Sequence, residues 1–281
     1  MATNRLPIFK KSTPPSDFDW TTPLAHTGRM EALSQKAAHL AFIVGCLGLI
    51  ASLYFPKPRS RPDSTVRYAR DRVLDASKGY LRFLSWAGLV HCEFVGFEEV
   101  ASWSHSLICA NHPSILDALA LFSKIPQADC VVGKNPLRDP LFSHPARMAN
   151  YIPSEPPIAM MKKCRDRLEK GANVIIFPEG TRTSNCALNP FHDGFALAAI
   201  KAGATIRTVF IECNSLFLST GFTFFKTSPG PFRFRLSTGA SFRADSRDNV
   251  RDFSKNLEDY FRCRLRRDGN WILRDHTPDE P

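Results

Sequence analysis

The chain is short of the signatures that would assign its chemistry at sight. Its eight cysteines, at 46, 92, 109, 130, 164, 186, 213 and 263, never form a Cys-x-x-Cys pair. That argues against zinc-binding ribbons and thioredoxin-type redox chemistry. Most of these cysteines have apolar neighbours, as reduced structural thiols do in a cytosol-facing domain. No metal site and no cofactor is expected. A Gly-x-Ser-x-Gly elbow, a phosphate-loop consensus and internal repeats are also missing, which leaves out elbow-type serine hydrolases, phosphate-loop nucleotide enzymes and solenoids. Acidic residues are in deficit: Asp and Glu total 27 against 37 Lys and Arg, for a formal net charge of +10. Such an excess attracts nucleic acid, an acidic carrier protein or anionic lipid. No nucleic-acid-binding motif accompanies it, so nucleic acid is not an expected partner.

Two short blocks carry most of the chemistry that is present. The first is Asn111-His112-Pro113-Ser114-Ile115-Leu116-Asp117. A histidine takes a proton from an alcohol near neutral pH, and a buried carboxylate on its other ring nitrogen fixes the tautomer. This is the base-and-orienter logic of a serine hydrolase without the serine, an arrangement in which the substrate's own hydroxyl can be the nucleophile. In a continuous helix, five residues turn through about 500°, which would point His112 and Asp117 roughly 140° apart. They meet only if His112 lies in a loop and Asp117 in the first turns of a helix. Pro113 favours that break. The spacing predicts strand Leu107–Ala110, a loop, and a helix over 114–124. The competing reading is a hydrogen-bonded core histidine and a helix-start carboxylate that complements the dipole.

The second block is Phe177-Pro178-Glu179-Gly180-Thr181-Arg182. It follows Asn173–Phe177, a buried-strand pattern that Pro178 ends. A glycine-containing loop after such a strand is a common binding place in an α/β sheet. Arg182 offers a planar fork for phosphate or carboxylate. The bland alternative is an exposed turn with a weak Glu–Arg pair.

Together, in this order and separation, the two blocks resemble the His-x4-Asp and Pro-Glu-Gly-Thr-Arg blocks of the glycerophospholipid acyltransferases, the 1-acylglycerol-3-phosphate acyltransferase family. Gly133-Lys134-Asn135-Pro136-Leu137 and Phe191-His192-Asp193-Gly194-Phe195 are similar to flanking segments of that family. The resemblance covers about residues 90 to 215. It implies His112 as general base, Asp117 as its orienting partner, and Glu179, Gly180, Thr181 and Arg182 as acceptor-binding residues. It implies acyl-CoA or acyl-carrier protein as acyl donor, a lysophospholipid-like acceptor, and no metal. Two departures stand out. The stretch Ala149–Ser154 lacks the arginine usual in a middle block, with Arg147 a few residues upstream. Thr208-Val209-Phe210-Ile211 lacks the proline of a fourth block. These leave room for another acceptor, such as lyso-ornithine lipid. A thioester hydrolase and a non-catalytic membrane-binding protein are the remaining alternatives.

The expected organisation has three parts. Residues 1–35 are polar and weakly ordered. Residues 36–88 form membrane-associated helices. The apolar run Ala37–Phe55 meets the lower range for a span, with Gly45 and Gly48 as ordinary membrane-helix glycines. Lys57, Arg59, Arg61, Arg67, Arg70 and Arg72 follow it, which by the positive-inside rule puts the catalytic domain on the cytoplasmic side of the membrane. A helical period over 66–86 fits either the membrane surface or packing on the catalytic domain. Residues 89–281 form the acyltransferase domain, of α/β class, with a mixed, mostly parallel central sheet flanked by helices. Strands are expected at 90–95, 107–110, 130–132, 174–177, 206–211 and 232–236, and helices at 158–170, 193–202 and 246–266. In Phe232-Arg233-Phe234-Arg235-Leu236 the alternation predicts a half-exposed strand with solvated arginines.

Overall fold

The structure is a computed structural model. It describes residues 62–114, 116–138, 140–184, 188–213 and 232–267, with Gly45 and Gly48 in addition. The polar tail, the apolar run 37–55 apart from those two glycines, and the aromatic stretch 216–225 lie outside the described residues. Among the described residues no helix is long and apolar enough to cross a membrane.

The centre of the molecule follows from the short apolar runs. Strand β2 (Ser106–Ala110) is buried at every position, and β5 (Asn173–Ile176) at all but the first. Runs without polar alternation need cover on both faces, which parallel strands with crossover helices supply. These two strands sit inside a seven-stranded sheet with β1 (Val90–Val95), β3 (Asp129–Val132), β4 (Ile152–Pro153), β6 (Thr205–Cys213) and β7 (Phe232–Arg243). The order is β1-β7-β6-β2-β5-β3-β4. Every pairing is parallel except β6 with β7, so the sheet is mixed and mostly parallel.

Successive side chains on a strand point to opposite faces, and the sheet thereby acquires two cores. Ile108, Ala110, Ile175, Val209 and Ile211 face one way, under helices α1 (Pro62–Trp86) and α2 (Asp117–Phe122). Leu107, Cys109, Val174, Ile176 and Phe210 face the other way. They meet α5 (Pro157–Glu169), α6 (Gly194–Ala202) and α7 (Val250–Arg267) through Leu168, Phe195, Ala199, Leu257 and Phe261. Short helices α3 (Lys134–Arg138) and α4 (Pro140–Met148) join β3 to β4. Prolines 136, 140 and 145 interrupt that stretch, so its sequence carries no clear helical period.

Helix α1 packs on one face of the sheet and its neighbouring helices. Ala69, Val73, Tyr80, Leu81 and Leu84 are buried at helical spacing. Arg70 fastens it: Nε donates to the Ala149 carbonyl at 3.1 Å, another guanidinium nitrogen donates to the Gln127 carbonyl at 3.1 Å, and a third pairs with buried Asp129. Gly45 approaches the same helix closely. A Cβ there would lie 2.6 Å from the Phe83 ring, whereas one at Gly48 would meet nothing within 4 Å. Gly45 is therefore a close-packing position and Gly48 is not.

One expectation is corrected. Arg233 and Arg235 are buried, not solvated. Strand β7 lies between β1 and β6 and has no free edge. Arg235 is registered opposite Glu93 on β1 and Glu212 on β6, and its Nε lies 3.3 Å from Glu93 Oε2. The alternation of Phe and Arg separates an apolar face from a buried face on which charge meets charge. Burial pushes the Glu212 carboxyl up, and Arg235 and Arg264 pull it back.

Candidate active site

The site forms where β2 and β5 end side by side. Asn111, the first residue after β2, is buried. Its Nδ2 donates to the Ile211 carbonyl at 2.8 Å, and its Oδ1 accepts the Ile211 N–H at 2.8 Å. The side chain acts as a strand partner for β6 and fixes the point where the chain leaves the sheet. His112 follows in the loop. Its backbone is held on both sides: the N–H donates to Glu179 Oε1 at 2.8 Å, and the carbonyl accepts the Thr183 N–H at 2.7 Å.

The His112 ring is fixed by two further contacts. Nδ1 lies 2.8 Å from Asp117 Oδ2, and the ring stacks on Phe177 with centroids 4.0 Å apart and planes at 17°. Asp117 is the first residue of α2, which begins later than the sequence suggests. The reason is local: Asp117 Oδ2 also accepts the Ser114 N–H at 2.7 Å, holding the intervening turn outside the helix. The expected geometry, with histidine in a loop and carboxylate at the helix start, is the one observed. A carboxylate at Nδ1 assigns the proton to that nitrogen and leaves Nε2 as an acceptor. The Asp117 side chain is fully buried while that of His112 is 19% exposed, so the carboxylate is dry and the imidazole is reachable. Burial pushes the Asp117 carboxyl above its ordinary range; the His112 ring, the Ser114 amide and the Arg182 charge pull against it.

The second block comes to the same place from β5. The Glu179 carboxylate is buried and turned into the protein. Oε1 accepts from the His112 N–H and Oε2 from the Asn189 N–H at 2.8 Å, and the Thr183 hydroxyl reaches both oxygens at 3.0 and 2.8 Å. Burial raises its pKa, and these donors oppose the shift. Gly180 adopts φ +69°, a conformation that favours glycine. Thr181 is exposed at the tip, and Arg182 is half-buried. The structure thus brings His112, Asp117, Glu179 and Arg182 into one neighbourhood, with Gly180 and Thr181 at its rim.

Sequence reasoning passed over Asn111, Phe177, Thr183, Asn189 and His192. Asn111 and Phe177 were visible as the residues ending each apolar run. Thr183 and Asn189 carried no local signal, and His192 only its place in a flanking segment. Among the described residues no group of His, Cys, Asp and Glu is placed to hold a metal ion. The neighbouring Cys109 thiol is buried and its pKa pushed up, which makes it a poor nucleophile.

Residues 91–212 match the family model described as Acyltransferase. The chain is 31% identical over 102 residues to a 1-acyl-sn-glycerol-3-phosphate acyltransferase of Chlamydomonas reinhardtii, over 34% of this chain and 31% of that protein. It is 35% identical over 51 residues to the lyso-ornithine lipid O-acyltransferase of Pseudomonas aeruginosa, over 18% of this chain and 20% of that protein. The chain thus spans a third or less of the length of these curated relatives. Its fold is similar to the crystal structure of the 1-acyl-sn-glycerophosphate acyltransferase PlsC from Thermotoga maritima. The TM-score is 0.60 at 16% identity, over 86% of this chain and 98% of that one. Both blocks lie inside the matched segment, and the similarity of that segment is to the glycerophospholipid acyltransferases.

Proposed function

We propose that this protein is a membrane-associated O-acyltransferase that moves a fatty acyl group from a thioester, acyl-CoA or acyl-carrier protein, to a hydroxyl of a lysophospholipid-like acceptor. The observation that carries this reading is the 2.8 Å bond from His112 Nδ1 to fully buried Asp117, with the imidazole itself partly exposed. His112 Nε2 takes the proton of the acceptor hydroxyl as its oxygen attacks the thioester carbonyl. The new C–O bond forms, the C–S bond breaks, and the proton passes from His112 to the departing thiolate. Asp117 stabilises the imidazolium between those events, and the Phe177 face beneath the ring adds a cation–π attraction. Thr181 and Arg182 receive the acceptor's anionic headgroup, and Glu179 holds the loop that presents them. The apolar run 37–55 and the basic residues after it attach the enzyme to the membrane, with its catalytic domain on the cytoplasmic side.

A second acceptor is favoured by two observations. Ala149–Ser154 has no arginine, and a short segment is similar to a lyso-ornithine lipid O-acyltransferase. A hydrolase, by contrast, would need a bound metal or an enzymic nucleophile. The hydroxyl nearest in sequence, Ser114, is buried, and its Oγ accepts the Leu116 N–H.

The test supplies labelled acyl-CoA and acyl-carrier protein to membranes bearing the wild type or His112→Ala, with lysophosphatidic acid, lyso-ornithine lipid and other lysolipids. Mass spectrometry then reads the products. A His112-dependent acylated lipid is expected, and its identity names the acceptor. Free fatty acid alone would replace transfer with hydrolysis. No His112-dependent product from folded protein would remove the catalytic reading.

A further inference from the structure

His192 takes no part in the scheme above, yet its ring sits on the loop that carries Thr181 and Arg182. A Cβ built on Gly180 would lie 2.8 Å from His192 Cδ2 and 3.0 Å from Nε2. The imidazole edge bearing Nε2 therefore rests against the bare Cα of Gly180. Glycine here serves two ends: it permits φ +69° and leaves room for the ring.

The backbone that presents His192 is firmly held. Its N–H donates to the Pro178 carbonyl at 2.9 Å, which ties the two ends of the loop together. Phe191 before it is buried, lies edge-on to Phe195 and Phe261, and donates its N–H to Glu258 Oε2 at 3.0 Å. Asp193 and α6 follow directly. The side chain itself is exposed. An imidazole kept at the surface by a buried neighbour on one side and a helix on the other has a fixed position without being part of the core.

We propose that His192 is a further binding residue of this site, donating a ring N–H to a phosphate-type oxyanion shared with Thr181 and Arg182. An imidazole N–H, a hydroxyl and a guanidinium fork on one loop and its neighbour are donors of the kinds that meet the several oxygens of a phosphate. The inference rests on the functional reading above and refines its substrate class. Two phosphates qualify, that of the lysolipid and those of the acyl-CoA nucleotide.

The experiment compares wild type, His192→Ala and Gly180→Ala. Each KM is measured at saturating co-substrate, for lysophosphatidic acid and for acyl-CoA. In His192→Ala one of the two KM values should rise on the order of tenfold, as expected for a hydrogen bond to a charged group, with kcat changed much less. A rise for the lipid assigns its phosphate, and a rise for the thioester assigns the nucleotide. Gly180→Ala should move the same KM, because the added Cβ displaces the ring. Unchanged values for both substrates in folded His192→Ala overturn the proposal. Calorimetric titration with glycerol 3-phosphate and with coenzyme A puts the question without turnover: wild type should bind one of the two more tightly than His192→Ala, and equal affinity for both is a second refutation. Should wild type show no His112-dependent transfer, the functional reading falls, while the titration still decides whether His192 meets an oxyanion.

Discussion

Two buried carboxylates stand at the ends of adjacent strands, and they are built differently. Asp117 serves one imidazole and one amide through a single oxygen, and its Oδ1 has no hydrogen-bond partner among the described residues. Glu179 has both oxygens filled, by two backbone amides and a hydroxyl from three separate positions. Both have raised pKa values because both are dry. A half-satisfied carboxylate beside a histidine is poised to respond to a proton arriving on the ring. A fully satisfied one has nothing left to offer a substrate and works as a brace. On the proposed function the first belongs to the chemistry, and the second to the shape of the loop that carries Arg182.

The sharpest way to break this comparison is to neutralise each carboxylate in turn. Asp117→Asn keeps the size, and its amide oxygen can still accept from both the Ser114 N–H and Nδ1, but the negative charge that would stabilise the imidazolium is gone. Steady-state assays should show kcat lower by about 10³- to 10⁴-fold. The melting temperature should hold or rise, because a buried charge has been removed. A clear loss of thermal stability would place Asp117 with Glu179 as a brace.

Glu179→Gln should behave in the opposite sense. One oxygen becomes an NH2 group facing a backbone N–H, at a cost of about 1–3 kcal/mol in denaturant unfolding. Activity should fall by about 10²-fold through misplacement of the His112 backbone and Arg182. If stability is untouched while binding of the acceptor alone is lost, Glu179 is a substrate contact after all.

Thr183→Val removes a single donor from the brace and leaves the rest. Its expected cost is about 0.5–1.5 kcal/mol, with kcat and KM close to wild type. A large drop in kcat would make the hydroxyl part of the chemistry.

The smallest effect is one of pH. Asp117 has a raised pKa in the folded state, so around the ordinary carboxyl range the folded protein holds a proton that the unfolded chain has released. Its contribution to stability is therefore lost as pH rises from that range through the raised value. Melting temperatures between pH 4 and 8 should fall less steeply in Asp117→Asn than in wild type. Parallel curves would mean that Asp117 titrates alike in both states.

The same contrast explains what was legible in the residues. His112 and Asp117 are five positions apart, and Pro113 favours a loop-then-helix arrangement, the one in which the two side chains can meet. The partners of Glu179 do not, since Asn189 lies ten residues along a loop and His112 sixty-seven away. Nothing in a window of sequence says that a charged residue after an apolar run will turn inward. Arg233 and Arg235 make the same point. Their alternation with phenylalanine marks a strand, but their burial depends on which strands lie on either side.

What the sequence determined by itself was local: the apolar runs that become strands, the breaks that end them, the histidine and carboxylate on either side of one turn, and the family these blocks resemble. Those features rest on backbone stereochemistry and short-range spacing. Tertiary structure alone decided the strand order, the cross-strand pairing that buries Arg235 between Glu93 and Glu212, the packing of α1 through Arg70, and the placing of His192 over Gly180. Each of these joins residues far apart in the chain. Their contacts depend on a register and a set of neighbours that exist only once the sheet has closed.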